Sequence, residues 1–284
     1  MKILVTGYNG QLGYDVVREG VKHGFKMHGI GRQDLDLTVK EDVNQYIKNI
    51  KPDAIIHCAA YTVVDKAEVD KETCWNVNVE ATRYIATAAK EVNAKFMYIS
   101  TDYVFDGKGE APFQDNDTPS PLSYYGLSKY EGEKVVEQLL EDWFIVRISW
   151  VFGVNGNNFV KTMLRLAESR NELNVVGDQF GSPTYTLDLA RLLIDMIQTG
   201  KYGTYHATNE GFCSWADFAK EIFKQANKNI IVNPIKTEDY PTQAIRPKNS
   251  RMSKQKLIDN GFEPLLTWQD ALKQYLNELT QEVK

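Results

Sequence analysis

Tyr125 and Lys129 stand four residues apart, a spacing that puts both side chains on one face of a helix. A phenol beside an ammonium is an acid–base device. Free tyrosine titrates near ~10, and a neighbouring positive charge favours the phenolate and lowers that value. Tyr124 is a rival phenol, but it stands five residues from Lys129 and off the shared face. Far upstream, Gly7-Tyr8-Asn9-Gly10-Gln11-Leu12-Gly13 directly follows the apolar run Ile3-Leu4-Val5. Glycines at i, i+3 and i+6 let a backbone turn sharply and approach a pyrophosphate. A helix beginning at Gln11 and Leu12 adds unpaired N–H groups and a positive dipole end. Three glycines alone also read as a plain tight turn; their place straight after the first strand favours a dinucleotide seat. The device and the seat together point to hydride transfer to or from a carbonyl.

These groups need a scaffold. Apolar runs at Lys2–Thr6, 25–30, 54–58, 95–100 and 144–148 predict strands, and helical spacing fills Gln11–Lys22, 39–49, 73–91 and 125–140. Near-continuous apolar strands separated by helices indicate an α/β fold with a doubly wound parallel sheet, Rossmann-type, and ligands at the carboxyl ends of the strands. After about Gly153 the pattern loosens: a helix near 158–168, a strand near 203–208, an irregular segment bearing Pro234, Pro241 and Pro247, and a last helix near 267–279. Residues 1–152 then form a nucleotide-binding domain, and 153–284 mainly a smaller substrate lobe, with elements near 185–210 returning to the sheet.

The end of the second strand selects the ribose. An acidic residue there would take a 2′-hydroxyl, but the chain reads Gly29-Ile30-Gly31-Arg32-Gln33. Arg32 could grip a 2′-phosphate by forked hydrogen bonds, or be a solvated surface arginine. This favours NADPH, with NADH open as an alternative. Asp36-Leu37 could frame the adenine. Ser100 and Thr101 end the fourth strand, where a hydroxyl could hold the reacting carbonyl. The run Glu131-Gly132-Glu133 reads as a face turned to water. His57 reads as a satisfied core or crevice residue, and no histidine or cysteine cluster suggests a metal.

At 284 residues, 43% hydrophobic and 25% charged, the chain can bury a sizeable core. A net charge of −5 without a basic stripe speaks against nucleic acid. No apolar run is long enough for a bilayer, so no membrane partner is expected. Cys58, Cys74 and Cys213 are scattered, which fits a reducing cytoplasm. The core strand begins at Lys2 with no signal-peptide pattern before it.

The glycine turn, Ser-Thr-Asp-Tyr-Val-Phe-Asp-Gly (100–107) and Tyr125-Gly-Leu-Ser-Lys129 resemble the extended short-chain dehydrogenase/reductases. Flanking segments are more similar to the dTDP-4-dehydrorhamnose reductases among them. They include Cys58-Ala59-Ala60-Tyr61-Thr62, Asn76-Val77-Asn78, Arg147-Ile148-Ser149-Trp150, Asp178-Gln179-Phe180-Gly181-Ser182-Pro183-Thr184 and Arg246-Pro247-Lys248-Asn249-Ser250. The resemblance implies NADPH-dependent reduction of a dTDP-sugar ketone in polysaccharide precursor synthesis. Tyr125 would donate the proton, Lys129 would hold the nicotinamide ribose and keep the phenol acidic, and Thr101 would hydrogen-bond the carbonyl. Ala59, Ala60, Tyr61, Thr62 and Asn78 would line the cofactor, with Val64, Asp102, Tyr103 and Trp150 against the sugar. Core packing is the competing reading for Val64 and Trp150, and Cys58 reads as a small buried residue rather than a reactive thiol. Such relatives often form dimers, some with a divalent ion such as magnesium; no motif here establishes a homodimer or that ion. Two other readings stay in play: a nucleotide-sugar epimerase or dehydratase that recycles bound NAD, and a non-catalytic subunit like the regulatory partner of methionine adenosyltransferase. Arg32 and the segments 100–105 and 181–184 argue against the first, which would use the same Tyr/Lys pair, and the intact Thr101, Tyr125 and Lys129 argue against the second.

Overall fold

A computed structural model describes residues 1–282. The first half alternates β1 (Lys2–Thr6), α1 (Gln11–Lys22), β2 (Lys26–Ile30), α2 (Lys40–Ile50) and β3 (Ala54–His57). It continues with α3 (Val64–Ala67), α4 (Lys71–Trp75), a π-turn (Asn76–Glu80), α5 (Ala81–Glu91), β4 (Lys95–Thr101), α6 (Tyr124–Leu139) and β5 (Trp143–Ile148). The second half holds β6 (Val151–Phe152), α7 (Phe159–Leu166), β7 (Glu172–Val176), β8 (Phe180–Gly181), β9 (Thr184–Tyr185), α8 (Thr186–Ile197) and β10 (Gly203–His206). It ends with β11 (Cys213–Ser214), α9 (Trp215–Gln225), β12 (Ile231–Ile235), α10 (Gln255–Asp259) and α11 (Trp268–Glu282).

The main sheet runs β10-β5-β4-β3-β1-β2, every pairing parallel. Alternation along a strand decides which helix each side chain meets. On β1, Ile3 and Val5 pack with Val16 of α1 and the apolar face of α8. Leu4 points the other way, to Val43 and Ile47 of α2 and Ile85 of α5. Both faces are thus covered, as a doubly wound sheet requires. The strand order turns back between β1 and β3, so a crevice opens at their carboxyl ends. A separate apolar cluster joins Phe152, Val160, Phe218, Ile222 and Leu272, and it anchors the second half beside that crevice. Pro234 sits in β12, which pairs among the described residues with β7 alone, a place where its missing N–H costs little.

Two expectations need correction. The helix expected over 73–91 is broken by the π-turn Asn76–Glu80, a widening that frees Asn78 for other work. The Asn78 side chain accepts from Tyr61 N at 2.8 Å and donates to Tyr61 O and Ser128 Oγ at 3.2 and 2.9 Å. Glu133, expected in water, is 1% exposed and receives Arg147 of β5 through two bonds of 2.9 and 2.7 Å. A glutamate can be buried when a forked guanidinium meets both of its oxygens.

Candidate active site

One cleft of about 960 Å³ lies over the carboxyl ends of β1, β3 and β4, closed on its far side by residues of the second half. At its floor, Gly7 adopts φ +69, and an added Cβ would sit 2.8 Å from the Ala59 backbone. At Gly13 a Cβ would overlap the Gly7 carbonyl. The first turn of α1 has no side-chain cap and no acidic residue, so its N–H groups remain available to an anion. Asn155 donates to Asn9 O at 2.8 Å, and Gln11 Oε1 accepts from Gly153 N at 2.9 Å, fixing this turn against the second half. At the end of β2, Asp34 accepts from Gly31 N at 2.8 Å and Asp36 from Thr38 N at 2.9 Å. Both acids are therefore tied into local turns, while exposed Arg32 makes no ion pair among the described residues. This glycine cradle, with its free guanidinium, fits a phosphorylated dinucleotide.

Helix α6 brings the acid–base pair to the other end of the cleft. Ser123 caps it, accepting from Gly126 N at 3.1 Å. A Cβ on Gly126 would overlap the Tyr103 carbonyl, and one on Gly132 would overlap the Tyr98 hydroxyl. With glycine three residues to either side, the helix approaches Tyr98 of β4 and the turn after that strand, and Lys129 between them is 2% exposed. Its ammonium sits 3.9 Å from the centre of the Tyr98 ring, a cation–π contact. Burial pushes Lys129 down to about 7, with Glu133 opposing.

The phenol departs from expectation. Burial raises Tyr125 well above its ordinary value, the Thr101 hydroxyl opposing. Desolvation of the phenolate outweighs any help from Lys129 here, so Tyr125 carries its proton through the neutral range. Tyr103 meets its ring edge-on at 5.6 Å. Tyr124 instead is half-buried outside the cleft, its N–H on Glu68 at 2.8 Å.

Thr101, Asp102, Tyr103, Val64 and Trp150 also line the cleft. Trp150 holds φ 49, an uncommon backbone for a bulky residue, and stacks on Trp215 at 3.7 Å. Of the expected cofactor residues, Gly7, Gly10, Gln11, Leu12, Gly13, Arg32, Asp36, Leu37, Ala59, Ala60 and Thr62 border the same cleft. Tyr61 and Asn78 do not: they brace the 59–62 segment from behind, with Tyr61 Oη on Asp70 at 3.1 Å. His57 is a satisfied core residue. Thr6 Oγ1, which accepts from Ala59 N at 3.2 Å, lies 2.7 Å from its Nδ1, and Thr82 Oγ1 lies 3.1 Å from its Nε2. Cys58 reaches the cleft edge, but burial lifts its thiol to about 12, which leaves it inert.

Sequence reasoning did not single out Gln179, Trp215, Pro247 or Ser250 as site residues, yet all four line the cleft. Gln179, Pro247 and Ser250 come from loops without periodicity, and Trp215 is the first residue of α9. The segment Arg246–Ser250 crosses to the first half: Arg246 pairs with Asp65 at 2.7 Å and donates to Tyr103 Oη at 3.2 Å. The glycines flanking Lys129 were the one legible signal for the close approach of α6.

A family model described as the RmlD substrate binding domain matches residues 1–281. The dTDP-4-dehydrorhamnose reductase of Aggregatibacter actinomycetemcomitans is 43% identical, covering 96% of this chain and 97% of its own. A solved dTDP-4-dehydrorhamnose reductase from Clostridium acetobutylicum superposes with TM-score 0.97 at 41% identity, over 99% of this chain and 100% of that one. Another, from Bacillus anthracis in complex with NADP, gives 0.95 at 43% identity, over 98% and 99%. The chain belongs to the RmlD substrate-binding-domain family.

Proposed function

We propose that the protein reduces the C4 ketone of dTDP-4-dehydro-L-rhamnose to dTDP-L-rhamnose with NADPH, the last step in making this sugar donor for surface polysaccharide. The observation that carries the reading is the single cleft, which joins the glycine cradle and Arg32 at one end to Thr101, Tyr125 and Lys129 at the other. Its relatives' names and the NADP held by the Bacillus anthracis protein support the substrate and cofactor.

The reduced nicotinamide, when bound, supplies the hydride to C4. Tyr125 then gives its proton to the C4 oxygen, and the phenolate is reprotonated from solvent, so one proton and one hydride are consumed per alcohol formed. Burial that raises Tyr125 suits this direction, because the acid must arrive protonated. Thr101 hydrogen-bonds the carbonyl, Lys129 holds the nicotinamide ribose, and Val64, Asp102, Tyr103 and Trp150 form the sugar's walls. We place the division of labour near residue 152, with 1–152 binding the nucleotide and 153–284 mainly the sugar; α8 and β10 return to the sheet core. The three thiols are unpaired and no described helix is long and apolar enough to cross a membrane, which supports work in the cytoplasm.

The test is NADPH oxidation with freshly generated dTDP-4-dehydro-L-rhamnose, with the sugar product identified. Turnover supports the reading; tight NADPH binding without turnover would abandon it. Arg32→Ala is expected to raise KM for NADPH by roughly 10–100-fold and leave that for NADH unchanged, the scale of a charged hydrogen bond. Steady-state kinetics with both cofactors check this, and an equal loss for both would remove Arg32 from the 2′-phosphate.

A further inference from the structure

The donor inventory around Thr101 holds a conflict. A threonine hydroxyl has one hydrogen. The Thr101 oxygen accepts from Tyr103 N at 3.2 Å, and its hydrogen goes to Asp102 Oδ1 at 3.0 Å. Serving the ketone requires that same hydrogen. Withdrawing it from an ionised Asp102 would remove the one side-chain hydrogen bond of good geometry on a carboxylate that is 3% exposed and whose Oδ2 has no partner within hydrogen-bond geometry among the described residues, leaving the Ser250 hydroxyl and the backbone N–H groups of Asp102 and Tyr103 as the donors nearby. Leaving a buried carboxylate so short of donors is costly. A protonated Asp102 removes the conflict: its own O–H donates to Thr101 Oγ1, and the threonine hydrogen turns to the cleft.

We propose that Asp102 is a positioning residue whose neutral carboxyl aims the Thr101 hydroxyl at the substrate carbonyl, beside the Tyr125 phenol. The proposal rests on the reductase reading. The surroundings suit it. From α6 the titratable groups on this side are Tyr125 and Lys129; from its own turn, Tyr103, whose hydroxyl takes Arg246, itself paired with Asp65. From the crossing segment comes the uncharged Ser250 hydroxyl. Among the described residues no ion pair reaches the Asp102 carboxyl. Burial therefore pushes it up to about 6, against the Ser250 and Thr101 hydroxyls. The neutral form dominates below that pH and is lost above it.

The experiment follows single-turnover hydride transfer from NADPH to the 4-ketosugar as a function of pH, for the native protein and Asp102→Asn. The native rate is expected to fall up to tenfold per pH unit above the Asp102 titration. Asp102→Asn, whose amide N–H replaces the acid proton, is expected to be slower but flat across that range, keeping only a decline near neutrality from Lys129. A variant that keeps the native decline, or a native rate that is flat between pH 5 and 7, overturns the proposal. Infrared spectroscopy reads the same group without activity: the native-minus-Asp102→Asn difference spectrum should hold a protonated-carboxyl C=O band at pH 5 that weakens as pH rises, the band of buried Asp15, also raised to about 6, cancelling between the two proteins. Absence of that band from the difference spectrum also overturns the proposal. No native turnover at any pH would instead mark failure of the reductase reading, with the infrared result still deciding the state of Asp102.

Discussion

Tyr125→Phe is expected to cut turnover by roughly 10²–10⁴-fold, the usual worth of a general acid, while NADPH binding persists. The phenyl ring keeps its edge-on packing with Tyr103, and the cradle that would take the phosphates lies at the other end of the cleft. Only the transferable proton is gone. Stopped-flow turnover together with fluorescence titration of NADPH separates the two, and a variant losing both equally would make Tyr125 a packing residue. A pH dependence accompanies it. Because burial lowers Lys129 to about 7 in the unliganded protein, its charge is present below that pH and lost above it. Affinity for the anionic cofactor should therefore weaken as pH rises through 7 in the native protein and in Tyr125→Phe alike.

The largest stability effect is expected at Glu133→Gln. Glu133 and Arg147 are 1% and 4% exposed and share two hydrogen bonds. Arg147 Nη1 also donates to Asp115 O at 3.3 Å. Neutralising the acid leaves a guanidinium unpaired in the interior, a loss of about 3–5 kcal/mol. For a chain of this size that lowers Tm by on the order of 10 °C. Replacing the pair together, Glu133→Leu with Arg147→Met, should recover most of it, since neither charge is then left behind. Thermal and urea melts of the three proteins measure this. A single variant within about 1 kcal/mol of native would show that the pair is not needed to hold α6 against the sheet.

The sequence by itself determined the parallel sheet, the glycine turn after β1, the site of Arg32 and the Tyr125–Lys129 pair. Each is set by a local rule: strand burial, a steric need for glycine, or helical spacing, all of which act over a few residues. Tertiary structure decided what depends on distant neighbours. Glu131-Gly132-Glu133 reads as a polar run, and only Arg147, 14 residues on, turns Glu133 inward. A helix over 73–91 is locally sound, and only the unpaired backbone of Tyr61 makes a π-turn at Asn78 worthwhile. The acidity of Tyr125 follows the same logic: the lysine's spacing is written in the chain, but desolvation comes from elements far along it. Gln179, Trp215 and Ser250 join the site because the second half folds back across the crevice, and no periodicity in a sequence records that return.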